Sequence, residues 1–185
     1  CLSHIEALFK IKDADKCRTY FNYNLRFGCI GSIINDSHYL EKLGTIQYIK
    51  ILLGHGLAFK DDYLSSWRAD GKLNLHSITE TVAIHYVDLL KFNYGEVRKS
   101  FYSPSIVANT GTAFDTTHIS LSFDKVTASI FASYACPFVD DVTIIGTNGI
   151  IRVSEDYLYL YNPRDTFDKN GYFIAPPLIE KKVLN

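Results

Sequence analysis

The hydrophobic pattern divides the chain into an early part rich in helices and a later part made of strands. Apolar positions that recur every three or four residues predict helices over 2–15, 30–43 and 77–90. Alternating or continuous β-branched and aromatic residues predict strands over 16–25, 45–53, 97–102, 116–123, 126–134, 141–145, 149–153 and 157–161. Residues 57–70 are expected to form a loop or short helix.

Short polar spacers separate the later strands, so these strands are expected to pair as an antiparallel meander. The spacers at 123–125 and 147–149 are typical of hairpin turns, and the second contains the strong turn signal Asn-Gly. Three helices placed ahead of so many strands predict an α+β fold, with a large, open, mostly antiparallel sheet and helices on one face. Aromatic residues on the other sheet face favour a partner, and therefore an oligomer.

Composition and charge narrow the classes of function. The 185 residues suit one domain with a hydrophobic core, and the net charge of −1 gives no indication of a nucleic-acid or membrane-surface partner. No apolar run is long enough to cross a bilayer. The four cysteines lack the C-x-x-C spacing of a zinc or redox site, which favours reduced thiols in a cytoplasmic protein. No cluster of residues has metal-ligand spacing, so no metal is expected.

The helix predicted over 77–90 carries polar side chains on an otherwise apolar surface. Thr81, His85 and Asp88 fall at positions i, i+4 and i+7, so a regular helix would place them on one face. A helix that is apolar nearly all round is expected to be buried. Because desolvation of a polar group is costly, His85 and Asp88 then need partners or a water-lined pocket.

Other polar candidates lie at the ends of predicted elements. His55 stands between two glycines after a strand, which is typical of a site loop, although a plain turn would look the same. Trp67 and Arg68 precede the polar helix. The Arg fork suits a phosphate or carboxylate and the Trp face suits a sugar ring, whereas the alternative is a core Trp beside a surface Arg. Arg26 either binds substrate or locks a domain junction, and we favour the second role.

Three stretches together resemble one enzyme family. They are Y-N-L-R-F at 23–27, W-R at 67–68 followed by I-H-Y-V-D at 84–88, and V-T-I-I-G-T-N-G-I-I at 142–151. In this order the chain resembles the C-terminal half of the Gfo/Idh/MocA oxidoreductases, the family of glucose-fructose oxidoreductase and inositol dehydrogenase. The resemblance extends over nearly the whole chain.

The resemblance implies a two-domain enzyme of which this chain is the second part. A Rossmann domain would bind NAD or NADP, and an α+β domain of the dihydrodipicolinate reductase-like type would supply the substrate pocket and the oligomer interface. The chain has no G-x-G-x-x-G loop and no E-K-P segment, and it begins at Cys1. We therefore expect the Rossmann domain to be absent, with 1–27 its end and the junction, 28–161 the substrate-binding and oligomerisation domain, and 162–185 an extended tail.

The function implied is the substrate-binding and oligomerisation part of an NAD(P)-dependent oxidoreductase that acts on a sugar, cyclitol or sugar nucleotide. His85 would be the acid–base, since imidazole titrates near neutral pH; the alternative is a structural His bonded to a carbonyl. Thr81 stands where the family often has an Asp, so it can position a hydroxyl but cannot act as a carboxylate. Residues implied to bind substrate are Tyr23, Arg26, His55, Trp67, Arg68 and Asp88.

Two roles remain open for Asp88, which either orients the His85 ring or pairs elsewhere. The chain on its own is expected to be inactive, and a homodimer or homotetramer through the sheet face is expected. The alternative function is a non-enzymatic sugar-binding or scaffold module derived from the same fold, and the Thr81 departure favours it.

Overall fold

The computed structural model describes residues 22–184. The helix predicted over 2–15 and most of the strand predicted over 16–25 lie outside this range. The end of that strand was predicted wrongly, because Asn24–Phe27 is a short 3-10 turn. Arg26 N donates to the Tyr23 carbonyl at 3.3 Å, and Gly28 N donates to the Leu25 carbonyl at 3.2 Å.

One eight-stranded sheet forms the body of the described chain, which confirms the predicted α+β fold with a mostly antiparallel open sheet. The strands are β1 Ile46–Gly54, β2 Lys99–Ser105, β3 Thr116–Ser122, β4 Thr127–Ser133, β5 Val139–Gly146, β6 Ile150–Ser154, β7 Tyr157–Tyr161 and β8 Leu178–Val183. Their order is β2-β3-β4-β1-β5-β6-β7-β8. All neighbours are antiparallel except β1 and β4, which run parallel. The edge strand β8 was not predicted.

The core lies on one face of the sheet, beneath the helices. In β1 the side chains of Ile49, Ile51 and Leu53 are buried while those between them are half-buried. Neighbouring strands repeat this alternation, since successive side chains point to opposite faces. The opposite face is open, and three tyrosines of β7, at 157, 159 and 161, lie on it.

Four α-helices were found among the described residues: α1 Cys29–Ile33, α2 Ser37–Leu43, α3 Gly71–Asn74 and α4 Ile84–Tyr94. The single helix predicted over 30–43 was wrong, because α1 and α2 are separate. Asp36 accepts a hydrogen bond from His38 N at 2.8 Å and so begins a new helix. Asn35 Nδ2 donates to the Gly31 carbonyl at 2.8 Å, and this side-chain bond caps the end of α1.

The helix predicted over 77–90 is also different. Thr79–Ala83 forms a π-helical turn, and α4 then continues to Tyr94, where Gly95 (φ 80°) ends it. Burial is extensive but partial: five residues of 77–90 are buried, Glu80 is exposed and the others are half-buried. A shared face for Thr81, His85 and Asp88 requires a regular period of 3.6 residues per turn. The wider π-helical turn breaks that period.

The G-T-N-G segment between β5 and β6 contacts the end of α2. Asn148 N donates to the Leu43 carbonyl at 2.9 Å, and Asn162 Nδ2 donates to the Lys42 carbonyl at 2.8 Å. A Cβ on Gly146 would clash with the Leu43 carbonyl oxygen, and one on Gly149 would lie 2.8 Å from the Lys42 carbonyl oxygen. The glycines therefore allow the hairpin to satisfy carbonyls that the helix end leaves unpaired.

Candidate functional site

His85 lies in the first turn of α4, with its ring half-buried. Its ring meets the Tyr23 ring edge-on, with centroids 6.2 Å apart and planes at 71°. Nδ1 is shut off from solvent and has no hydrogen-bond partner within residues 22–184. A structural His normally satisfies a buried nitrogen with a carbonyl or carboxylate, and no such bond is present in this part of the chain.

Asp88, one turn further along α4, is bound by Arg26. Arg26 Nε donates to one carboxylate oxygen at 2.7 Å, and Nη2 donates to the other at 2.6 Å. The guanidinium also lies over the Phe92 ring at 4.7 Å and the Tyr23 ring at 5.4 Å. This bidentate pair fixes the 24–27 turn on α4, so Asp88 pairs with Arg26 and makes no hydrogen bond to His85.

The Arg26–Asp88 pair should contribute to stability because its carboxylate is largely shielded. The Asp88 side chain is 14% exposed and that of Arg26 33%. A double-mutant cycle with Arg26→Met and Asp88→Asn should give a coupling free energy of about 1.5 kcal/mol, reduced by the partial exposure of Arg26. Urea unfolding of the four proteins measures it.

The matched control is the ion pair of Arg98 and Asp124, which has the same chemistry on the surface. Its side chains are 62% and 70% exposed. A cycle on this pair should show no measurable coupling, because solvent screens exposed charges. Equal coupling in the two cycles would contradict a locking role for Arg26.

Thr81 points away from His85 and towards the end of β4. Its hydroxyl donates to the Ser77 carbonyl at 2.6 Å, which occupies the one proton it has. The hydrogen bond between Thr81 Oγ1 and the Tyr134 hydroxyl must therefore have Tyr134 as donor. Tyr134 thus donates to Thr81, and Thr81 donates to the Ser77 carbonyl. The Thr81 hydroxyl therefore makes structural hydrogen bonds.

His55 and Tyr134 are neighbours because β1 and β4 are parallel. Gly54 pairs with Ser133, so the residues that follow them leave the sheet at the same edge. The two rings lie 5.2 Å apart. Burial lowers the pKa of His55 below its ordinary value, and the nearby charges of Lys60 and Arg68 lower it further. The loop thus places an imidazole beside the Tyr134 ring, near enough to Lys60 and Arg68 for their charges to act on it.

Trp67 and Arg68 lie at the surface beside this group. Trp67 is 47% exposed and is not a core residue. The Arg68 guanidinium lies 4.5 Å above the Trp67 ring. The Tyr63 hydroxyl donates to the Arg68 carbonyl at 3.4 Å, and the Tyr63 ring meets the Tyr134 ring at 6.4 Å. These contacts connect Trp67 and Arg68 to His55 through two buried tyrosines.

Two pockets lie in this part of the structure, and His55 lines the first of them. One, of about 140 Å³, is lined by Leu53, Gly54, His55, Ile78, Val82, Ser133, Phe138, Val139 and Asp140. The other, of about 170 Å³, is lined by Leu25, Gly28, Cys29, Ile30, Tyr86, Asp140, Val142, Val153 and Glu155. Asp140 borders both, and burial, with the charge of Asp141, raises the pKa of its carboxyl group.

The predicted site residues therefore fall into two groups joined by the π-helical turn. One holds His85, Tyr23, Arg26 and Asp88, and the other holds Thr81, His55, Trp67 and Arg68. Sequence reasoning missed Tyr134 and Lys60. Tyr134 ended a predicted strand, but nothing in the sequence paired that strand with β1. Within residues 22–184 there is no group of three His, Cys, Asp or Glu residues that could hold a metal ion.

Comparisons with known proteins find the same fold in solved oxidoreductases. An oxidoreductase from Agrobacterium radiobacter in complex with NAD+, L-tartaric acid and magnesium has a TM-score of 0.61 at 22% identity, covering 84% of this chain and 46% of that one. Levoglucosan dehydrogenase in complex with NADH has a TM-score of 0.68 at 15% identity, covering 87% and 45%. The WlbA dehydrogenase from Bordetella pertussis, in complex with NADH and UDP-GlcNAcA, has 0.58 at 21%, covering 71% and 42%.

This chain has the fold of a domain of these NAD-dependent oxidoreductases. The α+β fold that the resemblance implies is thereby confirmed. The chain spans about half the length of the solved structures it matches. No family model matches the sequence, and no curated protein does. Among the described residues, no helix has the length and apolar character needed to cross a membrane.

Proposed function

We propose that this chain is the substrate-binding part of an NAD(P)-dependent oxidoreductase acting on a sugar, cyclitol or sugar nucleotide. The observation that carries the proposal is the position of His85. Its ring meets the Tyr23 ring, which also lies under the guanidinium of the Arg26–Asp88 pair, and its Nδ1 lacks a structural partner within residues 22–184. On this fold such an imidazole is available to exchange a proton with a substrate hydroxyl.

His85 would act through Nε2, because the other ring nitrogen, Nδ1, is shut off from solvent. It takes the proton of a carbinol hydroxyl as the carbon is oxidised, and returns it in the reverse direction. Tyr23 packs against the ring and limits its rotation, and Arg26 holds both α4 and the 24–27 turn in place. Thr81 contributes by fixing the π-helical turn before His85, not by proton transfer.

The nicotinamide would accept the hydride, but residues 22–184 do not fit a dinucleotide. They contain no glycine-rich loop between a strand and a helix, and β1 and β4 are the one parallel pair in this part of the sheet. We propose that a separate Rossmann domain binds NAD or NADP, with 1–27 as its end and the junction, and 28–161 as the substrate domain. The open sheet face would form a homodimer or homotetramer.

The test is a turnover assay on the full-length gene product. Reduced nicotinamide is followed by absorbance with NAD+ or NADP+ and a panel of sugars, cyclitols and sugar nucleotides. We expect turnover with at least one substrate, and none with the 185-residue chain alone because its sequence has no G-x-G-x-x-G loop. Turnover by the 185-residue chain alone would show that the cofactor site has been assigned wrongly.

The second candidate is a non-enzymatic sugar-binding or scaffold module. Thr81 favours it, because this position supplies no carboxylate one turn before His85 and its hydroxyl is already bonded to Ser77 and Tyr134. Sugar binding by calorimetry, without turnover under any cofactor in the same panel, would select this candidate.

A further inference from the structure

The pocket of about 140 Å³ at the ends of β1 and β4 has a buried floor and an exposed mouth. Its buried residues, which form the floor, are Leu53, Gly54, Ile78 and Ser133. Its half-buried residues, which form the walls, include Val82 and Val139. The exposed residues at the mouth include His55 and Asp140. The polar groups that can meet a ligand are therefore at the mouth, and the interior is mainly apolar.

Ser133 is the polar side chain of the floor, and its hydroxyl is already engaged. Thr116 Oγ1 donates its one proton to Asp115 Oδ1 at 2.9 Å, so Ser133 Oγ must be the donor in its 2.8 Å bond to Thr116 Oγ1. Ser133 Oγ also accepts a hydrogen bond from Ala135 N at 2.9 Å. Its proton is therefore not available to a ligand in the pocket.

The strand backbone at the floor is engaged as well. Gly54 pairs with Ser133 of β4 on one side and with Val139 of β5 on the other. A buried water needs about two to four polar partners, and the floor, as far as the described chain forms it, has no free side-chain donor to offer. Water in the pocket is therefore poorly held, and an apolar group that displaces such water gains affinity.

The pocket lies beside the helical turn that carries His85. Val82 belongs to the π-helical turn that leads into α4, and it precedes His85 by three positions. Three residues along a helix rise by about 4.5 Å, so one sugar molecule can reach both the pocket and the His85 ring.

We propose that this pocket binds the methyl group of a 6-deoxy sugar substrate while the carbinol carbon lies at His85. The proposal rests on the function proposed above and narrows its substrate class to 6-deoxy sugars. C6 is the carbon that projects from a hexose ring, so it is the carbon that can enter a pocket. A hydroxymethyl group would bring a hydroxyl to a floor that has no free partner for it, and that desolvation is costly.

The charge of the pocket agrees with an uncharged occupant. No Lys or Arg among residues 22–184 lines it, whereas Asp140 lies at its mouth. A phosphate or carboxylate would therefore meet a like charge and no cation. The ring hydroxyls of the sugar stay at the mouth, where His55 and Asp140 offer hydrogen-bonding groups.

Calorimetric titration of the full-length protein with matched sugars tests the pocket. The pairs are 6-deoxy-D-glucose with D-glucose, L-fucose with L-galactose, and L-rhamnose with L-mannose, and each pair differs by the hydroxyl on C6. We expect the deoxy member of at least one pair to bind about tenfold more tightly, because its methyl group is buried and no hydroxyl is desolvated. Equal binding within every pair, or binding of none of the sugars, overturns the proposal.

Variants of the walls locate the effect. Val139→Thr and Val82→Thr each keep the shape of the side chain but add a hydroxyl, and each should abolish the preference for the deoxy sugar. Val107→Thr makes the same change at a side chain that is 53% exposed and outside the pocket, and should leave the preference unchanged. Loss of the preference in either wall variant supports the pocket, and its persistence in both overturns it.

Xenon probes the pocket without a sugar. An apolar cavity of roughly 150 Å³ binds xenon in another protein. In NMR spectra of the full-length protein, dissolved xenon should shift the methyl signals of Leu53, Val82 and Val139 and leave those of Val107 in place. If xenon shifts none of the three, the pocket does not accept an apolar group and the proposal fails.

The failures of the two proposals can be told apart. A Val139-dependent preference for deoxy sugars, in a protein without nicotinamide-linked turnover, keeps the pocket and rejects the oxidoreductase. Turnover of both members of every pair with equal kcat/KM keeps the oxidoreductase and rejects the pocket. His85→Gln should retain the binding preference in either case, because the His85 ring does not line the pocket.

Discussion

His85→Gln should lower turnover of the oxidoreductase proposed above by roughly 100- to 10,000-fold, the contribution typical of general acid–base catalysis. Glutamine keeps a polar side chain of similar reach but cannot exchange a proton near neutral pH. The effect should fall mainly on kcat, because the proton transfer occurs in the transition state. Steady-state kinetics of the variant and the parent measures it.

His38→Gln provides the matched control. His38 lies in α2 with its side chain 57% exposed, and its Nε2 lies 3.3 Å from Glu180 Oε2. The same chemical change at this position should leave kcat within about twofold of the parent, since surface substitutions have small effects. If His85→Gln turned over at the rate of His38→Gln, His85 would have no role in the chemistry.

Gly146→Ala should lower the free energy of unfolding by about 3 kcal/mol, at the upper end of the usual cost of overpacking. The added Cβ would clash with the Leu43 carbonyl oxygen, and the Leu43 side chain is fully buried. Relief requires the end of α2 to move off the hairpin, with loss of the Asn148 N bond to the Leu43 carbonyl. Chemical denaturation followed by circular dichroism measures the change.

Gly56→Ala is the control for this substitution. A Cβ on Gly56 meets its nearest neighbours, Phe59 and Cys136, at 3.8 and 3.9 Å, which is ordinary van der Waals contact. Its φ of −81° is accessible to alanine. Stability should change by less than about 0.5 kcal/mol. Equal destabilisation by the two substitutions would mean that the close approach to Leu43 is not the cause.

The strands were predicted well because the patterns that indicate them involve only neighbouring residues. Hairpin turns and alternating burial depend on a few adjacent residues, and β7 at Tyr157–Tyr161 has the predicted bounds. The helices were predicted less well. The apolar spacing over 30–43 fits one long helix as well as two short ones. It could not reveal that the Asp36 side chain caps a second helix, because that depends on a hydrogen bond and not on apolar spacing.

The residues of the candidate site could be predicted from the sequence, but their pairing could not. Sequence patterns identified His85, Arg26, Asp88 and Trp67 as residues of interest, because their types and spacings resemble a family pattern. They did not indicate which side chains would pair. Arg26 and Asp88 are 62 positions apart in the chain, and Thr81 and Tyr134 are 53 apart.

The sequence by itself determined an α+β fold, its antiparallel second half and a resemblance to one oxidoreductase family. Tertiary structure alone decided that β1 and β4 are parallel neighbours, and so that His55 meets Tyr134. It also decided that Asp88 binds Arg26 and that Thr81 faces β4 through a π-helical turn. The physical reason is that side-chain pairing depends on packing between distant segments, whereas strands and turns depend on neighbouring residues.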